Sequence, residues 1–288
     1  MTVPFRKRWR SLLFVPANSN ELLQKAALRG ADALILDLED AVPQSEKARA
    51  REALAPSADA LARQGVSVLV RINHHPQATH LDVAALSPSV SAVVLPKAES
   101  AGDVAQAAEA IHRRERELGL ASGAISLVPQ IESPKGLRHA YEIAEAPRVV
   151  ALSLGTEDFA LALGVEPRAE ALTLPAQVVC LAAAAAGIMG LALPTSIANF
   201  RDLGAWEAGV RAGRALGASG ALCIHPAQIP ILNEVFSPCA EERAWAEAVV
   251  EAWTYASGEG KGVIAIDGQM IDEPVFQRAL ATLRYWTT

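Results

Sequence analysis

Acidic residues crowd the stretch LILDLEDAV, residues 34–42, where Asp37, Glu39 and Asp40 end an apolar run that begins at Ala33. Such a run is buried on both faces when it forms a strand of a parallel sheet. A buried carboxylate without a partner costs several kcal/mol or takes up a proton. The chain must therefore supply a cation here or place these groups in a wet mouth. Other apolar runs end in the same manner. Arg71 closes SVLVRIN, Lys97 closes AVVLPK, Gln130 and Glu132 close SLVPQIE, His225 closes GALCIHP, and Asp158 follows VVALSLG after GTE. Several carboxylates gathered with these bases round one rim would raise each other's pKa unless a cation intervenes. Oxygen donors with no His or Cys cluster favour magnesium over zinc, and magnesium takes one or two protein carboxylates while keeping positions for water and substrate oxygens. Glu132 and Asp158, at neighbouring strand ends, suit that role. The planar fork of Arg71 suits a substrate carboxylate or enolate oxygen.

Each group also has a plainer role open to it. Asp40 and Glu46 could cap the following helix or pair with Lys47, Arg49 and Arg51. Lys97 could simply neutralise the acids, and His225 fits a structural histidine held in IHPAQI as well as a site residue. His74, His75, His80, His112 and His139 read as loop or helix-surface residues. Gly209, Gly213, Gly217 and Gly220 read as aids to close helix packing.

The elements that would position these groups follow from periodicity. Eight strand-length runs, at 11–16, 33–39, 67–73, 92–97, 126–132, 149–155, 190–196 and 220–226, alternate with helical segments such as SNELLQKAALRG, which Asn18 or Ser19 can cap and Gly30 ends. Eight βα units are what a (β/α)8 barrel needs, and barrel active sites sit at the C-terminal ends of the strands. A doubly wound open sheet lacks its fingerprint, because FVPANSNE after the first run contains no glycine. In SGEGKG near residue 260 the lysine and glycine spacing of a phosphate loop is wrong. Period two puts Asp37 and Glu39 in the lumen and Leu34, Leu36 and Leu38 against helices, with Asp40 at the lip. After residue 240 a helix, a hairpin and a further helix make a tail longer than barrel closure requires. The expected organisation is thus a catalytic α/β barrel over residues 1–240 and a helical lid extension over 241–288.

Composition narrows the function. The chain has 288 residues, is 51% hydrophobic and carries a net charge of -6, and only 5% of it is aromatic. It offers neither the basic surface nor the stacking platforms of a nucleic-acid binder. The cluster Arg6, Lys7, Arg8 and Arg10 fits a solvated arm or a phosphate contact, and the apolar run after it is too short for a signal peptide. The charge-free span from Thr173 to Asn199 is broken by Pro175, Gly187, Gly190 and Pro194, which fits an internal helix and a buried strand better than a membrane crossing. Cys180, Cys223 and Cys239 are too widely spaced for a CxxC-type zinc site and suggest packed, reduced thiols in a cytoplasmic protein.

The motifs RSLLFVPAN, LDLEDAV with Lys47 and Arg51 after it, VRIN, LPKAE, PQIESPKGL, LSLGTEDFALALG, CIHPAQI and DGQMIDEP occur in the order found in citrate lyase beta-subunit-like proteins of the HpcH/HpaI aldolase superfamily, a group that includes malyl-CoA and citramalyl-CoA lyases. The chain resembles that group from Arg10 to about Trp286. The resemblance implies a (β/α)8 barrel, a trimer, and magnesium-dependent cleavage or formation of a carbon–carbon bond in a hydroxyacyl-CoA, giving an acyl-CoA and a 2-oxo acid. It implies that Glu132 and Asp158 hold the metal, that Arg71 binds substrate, and that Glu39 and Asp40 hold metal-bound waters. It further implies that Asp272 reaches a neighbouring subunit's site and that Arg10 and Lys97 lie near the substrate. Departures occur at Ala17, Leu193, Ala218 and Ala221, and the last removes a lysine frequent in relatives. Three rival readings follow: a metal-dependent aldolase of free 4-hydroxy-2-oxo acids, a Schiff-base aldolase using Lys97, and a barrel subunit that has lost its chemistry.

Overall fold

The computed structural model describes residues 9–258 and 262–284. The basic residues Arg6, Lys7 and Arg8, Lys261 of SGEGKG, and Trp286 lie outside them. The chain divides into two compact units, one ending at Asn233 and one beginning at Glu234.

In the first unit eight parallel strands alternate with helices. The strands are β1 (Ser11–Pro16), β2 (Ala33–Asp37), β3 (Ser67–Arg71), β4 (Val90–Leu95), β5 (Ser126–Ile131), β6 (Ala151–Leu154), β7 (Met189–Leu191) and β8 (Ala221–Cys223). The helices are α1 (Asn20–Ala27), α2 (Lys47–Arg63), α3 (Pro76–Ala84), α4 (Ala101–Glu117), α5 (Pro134–Arg138), α6 (Ala140–Ala144), α7 (Thr156–Leu163), α8 (Ala169–Ala186), α9 (Leu203–Ala215) and α10 (Ile229–Val235), the last running across the division. From β1 to β7 each strand pairs with the next, and β8 returns to pair with β1. The barrel is drawn shut between β7 and β8, where Ser219 N donates to Gly190 O at 2.9 Å.

β2 and β3 are buried along their whole length, as their unbroken apolar runs require. Alternate residues Leu12, Ala33, Ile35, Leu69, Ala92, Val94, Val128, Ala151, Leu191 and Leu222 fill the lumen, with Trp9 and Val150 in the same cluster. Register then does what the sequence alone could not do. Pro16 pairs with Asp37 and Asp37 with Arg71, so the first acid and the arginine sit side by side at the C-terminal rim. Ladder bonds continue past the strand ends, from Leu38 N to Arg71 O (2.9 Å), Ala98 N to Gln130 O (3.1 Å) and Gly155 N to Ile131 O (2.9 Å), which stiffens the loops that carry the polar groups.

The structure differs from the sequence reading in several places. α1 starts after Ser19, but neither Asn18 nor Ser19 gives it a side-chain cap. β8 stops at Cys223 because Gln228 Oε1 takes the next two backbone amides, Ile224 N at 3.0 Å and His225 N at 3.1 Å. Cys180 and Cys223 are buried thiols, whereas Cys239 is exposed. α8 is long and apolar enough to cross a membrane by length and composition, yet it turns Leu172, Ala176, Val179 and Ala183 inward and packs on α6, β6 and β7.

The second unit consists of α11 (Ala240–Gly258), a hairpin of β9 (Ile264–Ile266) and β10 (Gln269–Ile271), and α12 (Glu273–Arg284). Its core joins Ala246, Val249, Trp253, Ile271 and Ala279, with Trp253 stacked on Phe276 at 5.5 Å.

The β1–β8 seam permits no side chain at Gly220, where a Cβ would stand 1.9 Å from Trp9 O, a backbone atom that cannot swing aside. Gly220→Ala is expected to lower the unfolding free energy by about 3 kcal/mol, measured by chemical denaturation; a loss below about 0.5 kcal/mol would show that the seam relaxes freely.

Candidate active site

A cavity of about 430 Å3 opens at the C-terminal ends of the barrel strands, and Asp37, Asp40, Arg71, Glu132, Glu157 and Asp158 line its charged side. Phe14, Pro16, Ile197, Ala198 and Ile224 line the other side. A larger cavity, about 560 Å3, lies outside the barrel between α3 and α4 and touches none of these residues. The mouth is where the polar strand ends converge.

Asp37 is fully buried and does not face open water. Its carboxylate accepts Arg71 Nε at 2.7 Å and Nη2 at 2.6 Å, together with Glu39 N at 2.9 Å and Ala41 N at 3.0 Å. All of its acceptor capacity goes into holding the arginine and folding its own loop. It is therefore an anchor, in contrast to the water-facing group that alternation alone suggested. The other face of Arg71 meets Glu39 at 3.1 Å and Asp40 at 3.3 Å, and its guanidinium lies over Phe14 at 4.7 Å. Burial alone would lower the arginine pKa; the hydrogen bond and charge of Asp37, then Glu39 and Asp40, outweigh it and raise it. Asp40 is 60% exposed, so it is the hold on Arg71 that an incoming oxygen displaces most cheaply.

Lys97 has a left-handed backbone, φ 52°, rare for a residue with a side chain. That bend turns it over the mouth, where Nζ donates to Glu39 Oε1 at 2.7 Å and approaches Asp158 at 3.9 Å. Its backbone N–H donates to Glu132 Oε2 at 2.8 Å. Burial would lower its pKa, but the hydrogen bond and charge of Glu39, then Asp40 and Glu132, raise it instead. A lysine kept charged is a poor amine nucleophile, which counts against Schiff-base chemistry at this position.

Glu132 is the exception among these groups. It is buried, and its pKa is pushed up to about 8 by burial first and then by the charges of Glu39 and Asp158, with Arg71 and the Lys97 amide only partly offsetting them. Its side chain fits only because residue 155 is glycine: a Cβ there would lie 2.5 Å from Glu132 Oε1 and 2.8 Å from Gln130 Nε2. Burial also raises Glu39, against the pull of Arg71 and Lys97.

A magnesium ion fits this arrangement. Asp37 is matched by Arg71 and Glu39 by Lys97, leaving Glu132 with no ion pair and Asp158 with only a long one to the same Lys97, at 3.9 Å. Gln130 Oε1 is buried without a hydrogen-bond donor, and Glu39 Oε2 has only its ion pair with Arg71 at 3.1 Å, which suits acceptors for metal-held water. Among the described residues no three His, Cys, Asp or Glu side chains form a closed metal cage. Two carboxylates completed by water is the magnesium pattern.

Not every expected residue belongs to this group. Arg10 precedes β1, at the opposite end of the barrel, and is engaged by Asp32 through Nε at 2.8 Å and Nη2 at 2.7 Å. It is not brought to the mouth, because six strand residues separate it from the rim at Pro16. His225 caps the turn after β8, accepting from Ala227 N at 3.2 Å, and stacks on Phe200 at 4.7 Å. Asp272 belongs to the second unit, where Oδ1 accepts from Val275 N at 3.2 Å at the start of α12. Glu157, which the sequence reading passed over, lines the mouth and is held by Ser196 Oγ at 2.6 Å. Its place beside Asp158 in GTED was the available signal.

The comparisons with known proteins agree with this fold. A family model described as HpcH/HpaI aldolase/citrate lyase matches residues 10–226. A citrate lyase subunit beta-like protein of Deinococcus radiodurans is 35% identical over 286 residues, 96% of each chain. A (3S)-malyl-CoA thioesterase of Cereibacter sphaeroides is 34% identical over 279 residues, 96% of this chain and 93% of its own. Among solved structures, CitE of Mycobacterium tuberculosis in complex with magnesium, acetoacetate and coenzyme A superposes with a TM-score of 0.76 at 31% identity, over 99% of this chain and 100% of that one. With its motifs in order on a closed eight-stranded barrel and its charged groups gathered at one rim, this chain belongs to the HpcH/HpaI aldolase/citrate lyase family.

Proposed function

We propose that the protein is a magnesium-dependent carbon–carbon lyase that splits a hydroxyacyl thioester, such as malyl-, citramalyl- or citryl-CoA, into an acyl-CoA and a 2-oxo acid. The observation that carries this reading is Glu132, buried without a counter-charge and repelled by the neighbouring Asp158, beside a rigidly held arginine in a mouth with one apolar wall. The citrate lyase names among the relatives support the lyase chemistry, the malyl-CoA thioesterase shares only the thioester, and CitE was solved with magnesium and coenzyme A.

Glu132 and Asp158 would hold the metal, which when bound draws electron density from the oxygen that becomes the carbonyl of the departing acid. Arg71, fixed by Asp37, presents its Nη1 side to the developing enolate or to a substrate carboxylate, which replaces Asp40 there. In the cleavage direction the hydroxyl proton leaves, the bond between the carbinol carbon and the thioester α-carbon breaks, and the α-carbon takes up a proton. Glu39 and Asp40, directly or through water, would handle one of these protons, and Asp272 of a neighbouring copy is proposed for the other. Phe14, Ile197 and Ile224 would exclude water from the enolate. A cytoplasmic homotrimer is the assembly proposed with this reading.

The direct test offers purified protein acetyl-CoA or propionyl-CoA with glyoxylate, pyruvate or oxaloacetate, and free 4-hydroxy-2-oxo acids in parallel. Condensation of a thioester that needs magnesium, stops with chelator and falls by at least about a thousandfold in Glu132→Gln is expected. Turnover of free acids alone would sink the thioester reading, and chelator-resistant turnover would sink the metal.

Glu132 also links the site to pH. Its folded pKa lies above the ordinary carboxyl value, so between pH 4.5 and about 8 the folded chain binds more protons than the unfolded one. The stability that Glu132 allows the metal-free protein is then lost as pH rises through that window. Glu132→Gln is expected to raise the metal-free melting temperature at pH 8 and to abolish the stabilisation by magnesium. An unchanged or lower melting temperature would count against a strained carboxylate.

Asp40 is exposed and one step removed from the metal. Asp40→Asn is expected to lower kcat by about 10 to 100-fold, less than Glu132→Gln, in steady-state assays at saturating magnesium. An equal loss in both would make Asp40 a direct participant.

A further inference from the structure

The loop that follows β2 is negative on its front face, yet two cations stand behind it. Lys47 and Arg51 lie one turn apart at the start of α2, where the helix dipole disfavours positive charge. Lys47 is almost fully buried, and its Nζ donates to Leu38 O at 2.6 Å and Glu39 O at 2.5 Å. Arg51 Nε donates to the fully buried Asp82 at 2.6 Å. The other oxygen of Asp82 accepts Asn73 Nδ2 at 2.7 Å, and that amide also reaches Leu38 O at 2.9 Å. The two routes meet at Leu38 O, and Lys47 alone goes on to Glu39 O, on the loop that carries Glu39 and Asp40.

Stability asks only for a donor to these carbonyls, which an uncharged side chain can also supply. A buried charge adds a desolvation cost that a neutral donor avoids. Burial lowers the Lys47 pKa, opposed by the charges it faces, which are Asp37, Asp82, Glu39 and Asp40. Three of these four belong to the acid loop. We propose that Lys47 is a positioning residue: with Arg51, Asp82 and Asn73 it clamps residues 38–41 from behind, and so fixes Glu39 and Asp40 against Arg71 and Lys97. The inference rests on reading the mouth as a magnesium-dependent site and adds a residue that touches neither metal nor substrate.

The test uses the full-length enzyme with Lys47→Met, Lys47→Arg and a comparison substitution, Leu54→Ala, which removes a fully buried α2 side chain away from the loop. Magnesium Kd is read by titration calorimetry, kcat and KM with the thioester substrate, and melting temperature by circular dichroism. Lys47→Met is expected to weaken magnesium about tenfold and lower kcat about 100-fold, with KM within about threefold. Lys47→Arg should recover most of both. Leu54→Ala, though it lowers the melting temperature, should leave both within about threefold. Parent-like kcat and Kd in Lys47→Met, no recovery in Lys47→Arg, or equal losses in Leu54→Ala would overturn the proposal. A parent enzyme that binds no magnesium would instead overturn the functional reading, and this inference with it.

Discussion

The bidentate pair between Asp37 and Arg71 is the contact on which the rest of the mouth depends. Both residues are buried, and the two hydrogen bonds measure 2.7 and 2.6 Å. An arginine in that position without a partner would be an uncompensated buried charge, worth several kcal/mol of instability. The β2–β3 register supplies the partner directly, since Asp37 and Arg71 are paired residues of adjacent strands. With Nε and Nη2 committed to Asp37, Arg71 can turn only its Nη1 edge outward. The same carboxylate takes two amides of the following loop, so one acid fixes both the direction of the cation and the path of Glu39 and Asp40.

From that anchor the electrostatics divide into groups that are satisfied and groups that are not. Acids near Arg71 and Lys97 have nearby counter-charges. Glu132 has only a backbone amide and partial screening, and it lies between Glu39 and Asp158, which repel it. Held at a site with no Cβ opposite it, Glu132 is aimed by packing as well as by charge. Such a group destabilises the fold until a cation arrives, which is the ordinary trade between stability and activity in a preformed site.

Much of this was readable before any coordinates. The eight apolar runs gave the strands, because a strand buried on both faces leaves an unbroken hydrophobic signature. Their polar ends located Arg71, Glu132 and Asp158, because barrel chemistry collects at C-terminal strand ends. Pairing across strands was not readable. Asp37 looks like any acid of the loop until register sets it beside Arg71, and Arg10 looks available until Asp32 is found to engage it. Local endings were also hidden: β8 stops where a glutamine side chain takes the next amides, a contact four residues ahead that no periodicity reports.

Lys97 stands at the rim as expected, but the conformation that turns it inward was not readable. Alternation along β4 puts it on the side away from the lumen, since Val94 faces inward and Leu95 ends the strand. The chain leaves regular geometry immediately after, and the left-handed residue points its amide at Glu132 and its ammonium at Glu39. A non-glycine residue in that conformation carries about 1 kcal/mol or more of strain. Nothing in the local sequence compensates for it; two charge-assisted hydrogen bonds to groups far along the chain do. A rule that reads one segment at a time cannot see a conformation maintained by two other strands. The departure at Lys97 therefore falls where several strands must meet one another, and in this barrel that place is the mouth.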